Sequence, residues 1–249
     1  MQQDQTRIAT HLAKSFLRPL RPYELVGTPR VRLGRNFDGG YIMLDRFDGV
    51  QAAYSLGIND DVSWDYDIAV RGIDIFQYDH TIEQLPFEHP RFHWKKLGIS
   101  NDLVPGMATI ESLIVENGHQ DADNMILKCD IEGAEWLALC FTPNNVLAKF
   151  SQIVLEVHNL QLLRDQQFAH TARQVALNLT ASHHVVNVHG NNFSQFEAVG
   201  GIPLPQSLEL TLARKNLGEF IPSTRIFPAD DDMPCNPRIA EMHLGPFVY

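Results

Sequence analysis

Hydrophobic positions along this chain fall into two alternating patterns. Short runs of consecutive apolar residues, such as residues 153–155, indicate strands that are buried on both faces. Segments whose apolar positions lie three or four residues apart, such as Ile8, Leu12 and Phe16, indicate amphipathic helices. The patterns predict strands over residues 52–58, 73–78, 92–97, 125–129, 153–157, 185–188 and 208–213, and helices over residues 6–20, 63–71, 109–117, 135–141 and 168–182.

The order of these elements predicts an α/β fold. Strands that alternate with helices favour right-handed crossovers and a mostly parallel sheet with helices on both faces. No helix is predicted between the last two strands, so we expect the final strand to be antiparallel. We assign residues 1–30 to an N-terminal helical extension and residues 31–249 to a single domain with an irregular C-terminal tail.

Composition narrows the class of protein. The chain has 249 residues, of which 44% are hydrophobic and 20% charged, and this fits a globular protein with a substantial core. The formal net charge is −10 and no basic cluster stands out, which argues against a nucleic-acid partner. We find no signal peptide and no apolar run of the roughly 18 residues that a membrane span needs, so we expect a cytoplasmic protein.

The three cysteines do not suggest a disulfide framework or a zinc site built on cysteine pairs. Cys129, Cys140 and Cys235 are odd in number and widely spaced. Cys129 lies inside a predicted strand, where we expect it to be a small core residue.

Polar residues follow the first predicted strand, in the segment 55–61. Gly57 lies where the strand turns toward a helix, and a glycine there lets the backbone approach a ligand closely. Asp60 and Asp61 would repel a phosphate, but they are compatible with a cationic or amino-bearing ligand. The alternative is that these acids only complement the dipole at the start of the next helix. We place Gly57 and Asn59 on the cofactor-binding side of a site.

Asp79 ends the second predicted strand. An acidic residue at this point, roughly 20 residues after a glycine turn, binds ribose hydroxyls in many α/β nucleotide sites. A ribose without a phosphate suggests an adenosine ligand other than a dinucleotide, and S-adenosylmethionine fits that description. Asp79 is therefore a candidate cofactor-binding residue.

Acidic and imidazole side chains follow further strands at the same edge of the sheet. They could supply a general base, or they could hold a divalent metal. The alternatives are helix-capping acids and buried histidines with satisfied hydrogen bonds, but three such strand ends together favour a site. The residues are Asp130, Glu132 and Glu135 after the fourth strand, Glu156 and His158 at the fifth, His189 at the sixth and Glu209 in the seventh.

Several of these segments together resemble the FkbM-like class I methyltransferases. The similarity is closest to a branch whose first motif has a Ser-Leu-Gly form, and it spans roughly residues 30 to 214. The Lys-x-Asp-x-Glu-Gly segment is the most specific of the matching motifs. The matching segments are residues 32–34, 38–41, 54–58, 60–65, 127–133, 188–192 and 208–211.

This resemblance implies a Rossmann-like sheet of seven strands with an antiparallel last hairpin. It also implies S-adenosylmethionine as methyl donor and mostly hydroxyl acceptors. The family's motif positions correspond to Gly57, Asp79 and Asp130. The usual Gly-x-Gly form is absent, so Asp38 and Tyr41 are candidates for holding the amino-acid end of the donor. Some relatives need magnesium, which the acids and histidines here neither match nor exclude.

The sequence thus predicts an S-adenosylmethionine-dependent methyltransferase that acts on a hydroxyl of a sugar, a glycan or another small molecule. We expect His158 or His189 to be the base, because an unperturbed imidazole titrates near neutrality. Asp130 and Glu156 would orient it or bind a metal. One alternative is a metal-dependent hydrolase that uses the same four residues, and another is a non-catalytic binding protein with the same fold.

Overall fold

The computed structural model describes residues 2–193 and 195–249 and contains one central sheet of seven strands. Four two-stranded sheets surround it. The helices are α1 (Gln2–Leu17), α2 (Ser63–Ala69), α3 (Ile110–Glu116), α4 (Glu135–Phe141), α5 (Asn144–Leu147) and α6 (Gln166–Ser182). The strands are β1 (Tyr23–Leu25), β2 (Arg30–Leu33), β3 (Tyr41–Leu44), β4 (Ala52–Leu56), β5 (Ile75–Tyr78), β6 (Phe92–Lys95), β7 (Gly98–Ile99), β8 (Met107–Ala108), β9 (Met125–Cys129), β10 (Phe150–Val157), β11 (His183–Gly190), β12 (Glu197–Val199), β13 (Ile202–Leu204), β14 (Leu208–Arg214) and β15 (Phe220–Pro222).

The central sheet has the strand order β11-β14-β10-β9-β4-β5-β6. Its strands are parallel except for β14, which pairs antiparallel with both β10 and β11. The chain runs outward from β4 to β6, then returns to the other side of β4 with β9. The order therefore reverses between β4 and β9, the position at which open α/β sheets bind ligands. The predicted Rossmann-like fold class, with its antiparallel last strand, is confirmed.

Two apolar layers cover the sheet. Tyr54 and Leu127 point into a large core that also contains the buried residues of α1, α3, α4, α5 and α6. Their neighbours Ala53 and Ile126 point to the other face, against α2 and the β2–β3 hairpin. Both faces of β9 and β10 are buried along their whole length, which explains the consecutive apolar residues 125–127 and 153–155 within these strands. Among the described residues, no helix is both long and apolar enough to cross a membrane.

Both ends of the chain pack on this core. Phe16 in α1 is buried and makes an edge-to-face contact with Trp136, at 5.6 Å between ring centroids. Phe227 and Phe247 in the segment after β15 are also buried in the large core. That segment contains turns and one isolated bridge, between Phe227 and Gly245, but no helix.

The element bounds differ from the predictions mainly at glycines and in short strands. The strand predicted over residues 52–58 ends at Leu56, because Gly57 turns the chain with a φ of 82°. The helix predicted over residues 6–20 begins earlier, at Gln2, and its last turn is a 3₁₀ helix over Arg18–Leu20. The strands of the two-stranded sheets, such as β7, have only two to four residues each, and their periodicity did not predict them.

His183, the first residue of β11, provides a test of the packing between α6 and the sheet. It is fully buried, with Nε2 2.8 Å from the carbonyl oxygen of Phe150. Burial lowers the pKa of His183 to about 4. The unfolded chain takes up this proton below about pH 6.5. The folded chain resists protonation down to pH 4, so the stability contributed by the neutral ring is lost as the pH falls between these values.

We therefore expect His183→Gln to be less sensitive to acid than the wild type. The difference between their free energies of unfolding should change by about 3 kcal/mol between pH 7 and pH 4, because each pKa unit corresponds to 1.4 kcal/mol. Urea denaturation at several pH values measures this difference. His170→Gln is the matched control, because His170 is exposed. If the free energy of unfolding of His183→Gln depended on pH as that of the wild type does, the lowered pKa of His183 would be contradicted.

Candidate active site

A cavity of about 930 Å³ opens at the carboxyl ends of β4, β5, β9 and β10. It lies where the strand order reverses. All six residues predicted to bind the cofactor line it, together with three of the four predicted catalytic residues. These residues are Asp38, Tyr41, Gly57, Asn59, Asp79, Asp130, Glu156 and His158.

The glycine turn after β4 joins the tips of two strands. Lys128 Nζ donates a hydrogen bond of 2.9 Å to the carbonyl oxygen of Gly57, and the backbone N–H of Asp130 donates one of 2.9 Å to Leu56. A Cβ added at Gly57 would overlap the carbonyl group of Asp130. Glycine is therefore required here both for its φ of 82° and for the close approach of the two backbones.

Asp79 fixes the same turn from the next strand. One carboxylate oxygen accepts hydrogen bonds from the backbone N–H groups of Ile58 and Asn59, at 2.8 and 2.9 Å. The other accepts from the N–H and the hydroxyl of Thr81, at 2.7 and 2.6 Å. Burial alone would raise the pKa of Asp79, but these hydrogen bonds outweigh it and lower the pKa. Four donors fill the acceptor positions of a carboxylate, so a ribose hydroxyl would have to replace one of them.

The Thr81 hydroxyl is the donor that can most readily give way, since it rotates freely about its Cβ–Oγ1 bond. Thr81 lines the cavity, and the sequence analysis missed it. Its only sequence signal is its position two residues after Asp79.

His158 is held at the tip of β10 by a buried carboxylate. Its Nδ1 lies 3.1 Å from Oε1 of Glu135, which is fully buried. Glu135 also accepts hydrogen bonds of 2.8 Å from the backbone N–H groups of Ile131 and Gly133. The indole N–H of Trp136 donates to the backbone carbonyl of His158 at 2.8 Å. Together these contacts fix the ring so that Nδ1 faces Glu135 and Nε2 faces the cavity.

Three acids surround the free edge of this imidazole. His158 Nε2 lies 3.6 Å from Glu156, 3.8 Å from Asp130 and 3.6 Å from Glu132. The Glu132 side chain is 85% exposed, whereas that of Glu156 is 6% exposed. The strongest electrostatic partners of His158 on the cavity side are therefore Asp130 and Glu156.

Neutral side chains hold these two carboxylates. The Tyr41 hydroxyl donates to Asp130 at 3.3 Å, and the Asn191 side chain donates to Glu156 at 2.8 Å. Burial, followed by the nearby Asp130 charge, raises the pKa of Tyr41 well above its usual value, so its hydroxyl remains a donor. Tyr41 was predicted to hold the methyl donor. In the structure its hydroxyl contacts Asp130.

The protonation of the cluster differs from the sequence prediction. Burial alone would lower the pKa of His158, but the hydrogen bond to Glu135 and the charges of Glu156 and Asp130 outweigh it and raise the pKa to about 9. Burial raises the pKa of Asp130 and raises that of Glu156 well above its usual value. His158 is therefore an imidazolium at neutral pH, and not the unperturbed imidazole that the sequence analysis expected.

Asp130, Glu156 and His158 also converge as metal ligands do. One ligand atom from each lies within 4.8 Å of the others. Asp130 Oδ1 is buried and has no hydrogen-bond partner among the described residues, so it is available to a cation. Two carboxylates and one imidazole fit Mn²⁺ or Zn²⁺ better than Mg²⁺, which prefers oxygen ligands alone.

Backbone conformation marks the same strand tips. Asn59, Glu132 and Asn159 adopt positive φ values of 50°, 57° and 65°. Such conformations are uncommon for residues other than glycine, and they concentrate at functional sites. One of them follows each of the strands β4, β9 and β10, whose ends line the cavity.

Two acids near the mouth of the cavity flank an arginine. Arg35 Nε lies 3.3 Å from Asp61, and its Nη2 lies 4.0 Å from Asp38. Burial, and then the nearby Glu209 charge, raises the pKa of Asp38.

His189, the fourth predicted catalytic residue, lies apart from this cluster. It is not among the residues that line the cavity, and its side chain packs beneath the C-terminal tail. Its Nδ1 lies 2.7 Å from Glu209 and its Nε2 lies 3.3 Å from Glu241. Burial alone would lower the pKa of His189, but these two carboxylates raise it to about 10. The antiparallel strand β14 separates His189 from His158, which the row of strand ends in the sequence did not reveal.

Neither protein-family models nor curated proteins give a match to this chain. Among solved structures, the chain is similar to the SAM-dependent methyltransferase from Agrobacterium tumefaciens, with 13% sequence identity and a TM-score of 0.37. The alignment covers 68% of this chain and 57% of that one, so this chain spans little more than half the length of the other protein. A likeness of this extent does not establish a shared activity, so any functional assignment depends on the residues of the cavity.

The contact between the tips of β4 and β9 can be tested with two glycines. Gly57 and Gly72 have φ values of 82° and 86°, but a Cβ at Gly72 meets nothing within 4 Å. Gly72→Ala should lower the free energy of unfolding by about 1–2 kcal/mol, because alanine is strained in the left-handed backbone conformation. Gly57→Ala should cost about 2–5 kcal/mol, because overlap with Asp130 adds to that strain. Chemical denaturation measures both, and equal losses would contradict the close approach.

Proposed function

We propose that this chain is an S-adenosylmethionine-dependent methyltransferase that transfers the methyl group to a hydroxyl of a sugar, a glycan or another small molecule. One observation carries the proposal. A single cavity at the reversal of strand order joins the Gly57 turn and Asp79 on one side to an oriented imidazole, His158, on the other. The first half has the elements of an adenosine site, and the second has a group that can accept a proton.

The charge of the cavity supports a cationic donor. Asp60, Asp61 and Asp79 line its first half, and none of the lining residues there forms a phosphate-binding glycine loop. The nearby cations are engaged, since Lys128 donates to Gly57 and Arg35 lies between acids. S-adenosylmethionine, when bound, supplies a methyl group activated by a positively charged sulfur, which an acidic wall attracts.

The residues on the acceptor side support proton removal by His158. Glu135 fixes the ring, and Nε2 faces the cavity beside Asp130 and Glu156. A positive charge brought next to an imidazolium lowers its pKa, because like charges disfavour the charged form. A cationic donor therefore shifts His158 toward the neutral form that accepts a hydroxyl proton. We assign the base to His158 and not to His189, because His158 lines the cavity.

Polar groups on the same side support a hydroxylated acceptor. Asn191 and Ser207 line this part of the cavity beside Glu156, and Phe193 adds an exposed aromatic ring. Amide, hydroxyl and carboxylate groups can hydrogen-bond several hydroxyls at once, while an aromatic ring covers an apolar face of the ligand. This combination favours a sugar-like or small hydroxylated molecule.

A metal-dependent hydrolase is the second candidate. The observation that favours it is the convergence of ligand atoms from Asp130, Glu156 and His158 within 4.8 Å. A metal held there would lower the pKa of a bound water. Such a hydrolase would not require the adenosine half of the cavity, so binding of the donor distinguishes the two candidates.

Titration calorimetry with S-adenosylmethionine and S-adenosylhomocysteine tests the donor site. We expect saturable binding of both to the wild type. Asp79→Ala should weaken binding about 10- to 100-fold, because a hydrogen bond to a charged group contributes roughly 1.5–3 kcal/mol. Asp74→Ala is the matched control, since Asp74 is a half-exposed acid that immediately precedes the same strand. Absence of binding to folded wild type would refute the proposal and favour the hydrolase.

Steady-state kinetics with a labelled methyl donor and a panel of sugars and small alcohols tests the base. His158→Ala should lower turnover about 10²- to 10⁴-fold, the usual contribution of general base catalysis, and retain donor binding. In the wild type, kcat/KM should fall as the pH drops below about 9, because the free enzyme then protonates His158. The exposed His170→Ala should behave like the wild type. Unchanged turnover in His158→Ala would exclude this residue as the base.

A further inference from the structure

We infer that His189, Glu209 and Cys235 form a buried zinc site, outside the cavity, that fastens the C-terminal tail to the central sheet. The three residues come from β11, β14 and the tail. All three are buried, with 1%, 7% and 3% of their surfaces exposed. None of them lines the cavity, so the proposed methyl transfer does not account for this cluster.

The donor atoms of the three side chains converge on one point. Glu209 Oε2 lies 2.7 Å from His189 Nδ1, and Glu209 Oε1 lies 3.3 Å from Cys235 Sγ. Cys235 Sγ lies 3.9 Å from His189 Nδ1. One ligand atom from each residue lies within 4.8 Å of the others. Each residue offers one ligand atom, and a zinc ion held by three protein side chains completes its four-coordinate shell with a water.

The chemical types of the ligands favour zinc. Thiolate, imidazole and carboxylate are the three side-chain ligands that Zn²⁺ prefers, whereas Mg²⁺ and Ca²⁺ prefer oxygen alone. The thiolate of Cys235 and the carboxylate of Glu209 carry two negative charges, and His189 binds as a neutral ring. A divalent ion therefore balances the charges of its own ligands at this buried position, where an uncompensated charge would be costly.

Glu241 lies where a carboxylate usually supports a metal-binding histidine. A histidine that ligates a metal through one ring nitrogen normally donates its other N–H to a carboxylate or carbonyl group. Here Nδ1 of His189 faces Glu209 and Cys235, while Nε2 lies 3.3 Å from Glu241. The Glu241 contact has the distance of an ion pair and not the geometry of a hydrogen bond, so it favours by charge the ring orientation in which Nδ1 faces the gap.

The position of the site implies a structural role. Cys235 and Glu241 both belong to the tail, and Asn192 already binds the same segment. Its side chain donates to the backbone carbonyls of Asn236 and Ile239 and accepts from the N–H of Asn236. Asn191, the preceding residue, donates to Glu156 in the cavity. A metal under the tail therefore stabilises the strand end that also holds the acceptor side of the cavity.

Metal content and a cobalt spectrum test the inference directly. Protein without a histidine tag is incubated with zinc chloride and desalted, and its zinc content is measured by inductively coupled plasma mass spectrometry. We expect Cys235→Ser to hold about one zinc ion less per chain than the wild type, as loss of a ligand from a zinc site predicts. Cys140→Ser removes a cysteine away from this cluster, so it should retain the wild-type zinc content. Equal zinc content in wild type and Cys235→Ser would overturn the proposal.

The cobalt spectrum is measured on the wild type, so this test does not require that the Cys235→Ser variant folds. Co²⁺ bound by a thiolate gives a sulfur-to-metal charge-transfer band in the near ultraviolet, and we expect this band in the wild type. Asp130→Asn should keep the band, because Asp130 belongs to the other cluster of potential ligands. Absence of the band in cobalt-loaded wild type would refute thiolate ligation.

Removal of the metal by a chelator should also accelerate proteolysis within residues 223–249, and an unchanged rate would refute the fastening of the tail.

Discussion

The burial of acidic side chains along one edge of the sheet is the constraint on which the rest of the site depends. Asp130 follows β9, and Glu156 pairs with Glu209 across β10 and β14. Glu209 in turn pairs with His189 on β11. Buried carboxylates are costly unless they receive hydrogen bonds or opposite charge. Each of these acids has such partners: Tyr41 and His158 for Asp130, Asn191 for Glu156, and His189 with Cys235 for Glu209.

The two histidines give the two ends of this acidic row different properties. His158 opens onto the cavity, where a ligand can change its protonation. His189 is enclosed between Glu209 and Glu241, and only 1% of its surface is exposed. The short segment 191–192 connects the two ends, because Asn191 binds Glu156 and Asn192 binds the tail. The organisation of the tail is therefore linked to the acceptor side of the proposed active site.

Much of the fold could be predicted from the sequence, because strands buried on both faces contain short runs of consecutive apolar residues. The glycine turn and the acids at strand ends also followed from the sequence, since parallel strands bring their ends to one edge. The sequence did not predict that His158 lines the cavity whereas His189 does not. This difference arises because β14 lies between β10 and β11. The raised pKa of His158 depends on Glu135, which approaches it only in the folded chain. Cys235 and Glu241 lie in an irregular tail, where no periodicity indicates which side chains face inward.

The most direct test of the central claim is a crystal structure of the protein with S-adenosylhomocysteine bound. The account predicts that the ribose lies beside Asp79. A ribose hydroxyl then donates to the Asp79 carboxylate in place of the Thr81 hydroxyl. The account also predicts that the sulfur lies at the Gly57–Asp130 contact and points toward His158. Density for the ligand outside this cavity, or a sulfur directed away from His158, would contradict the assignment of the two halves of the site.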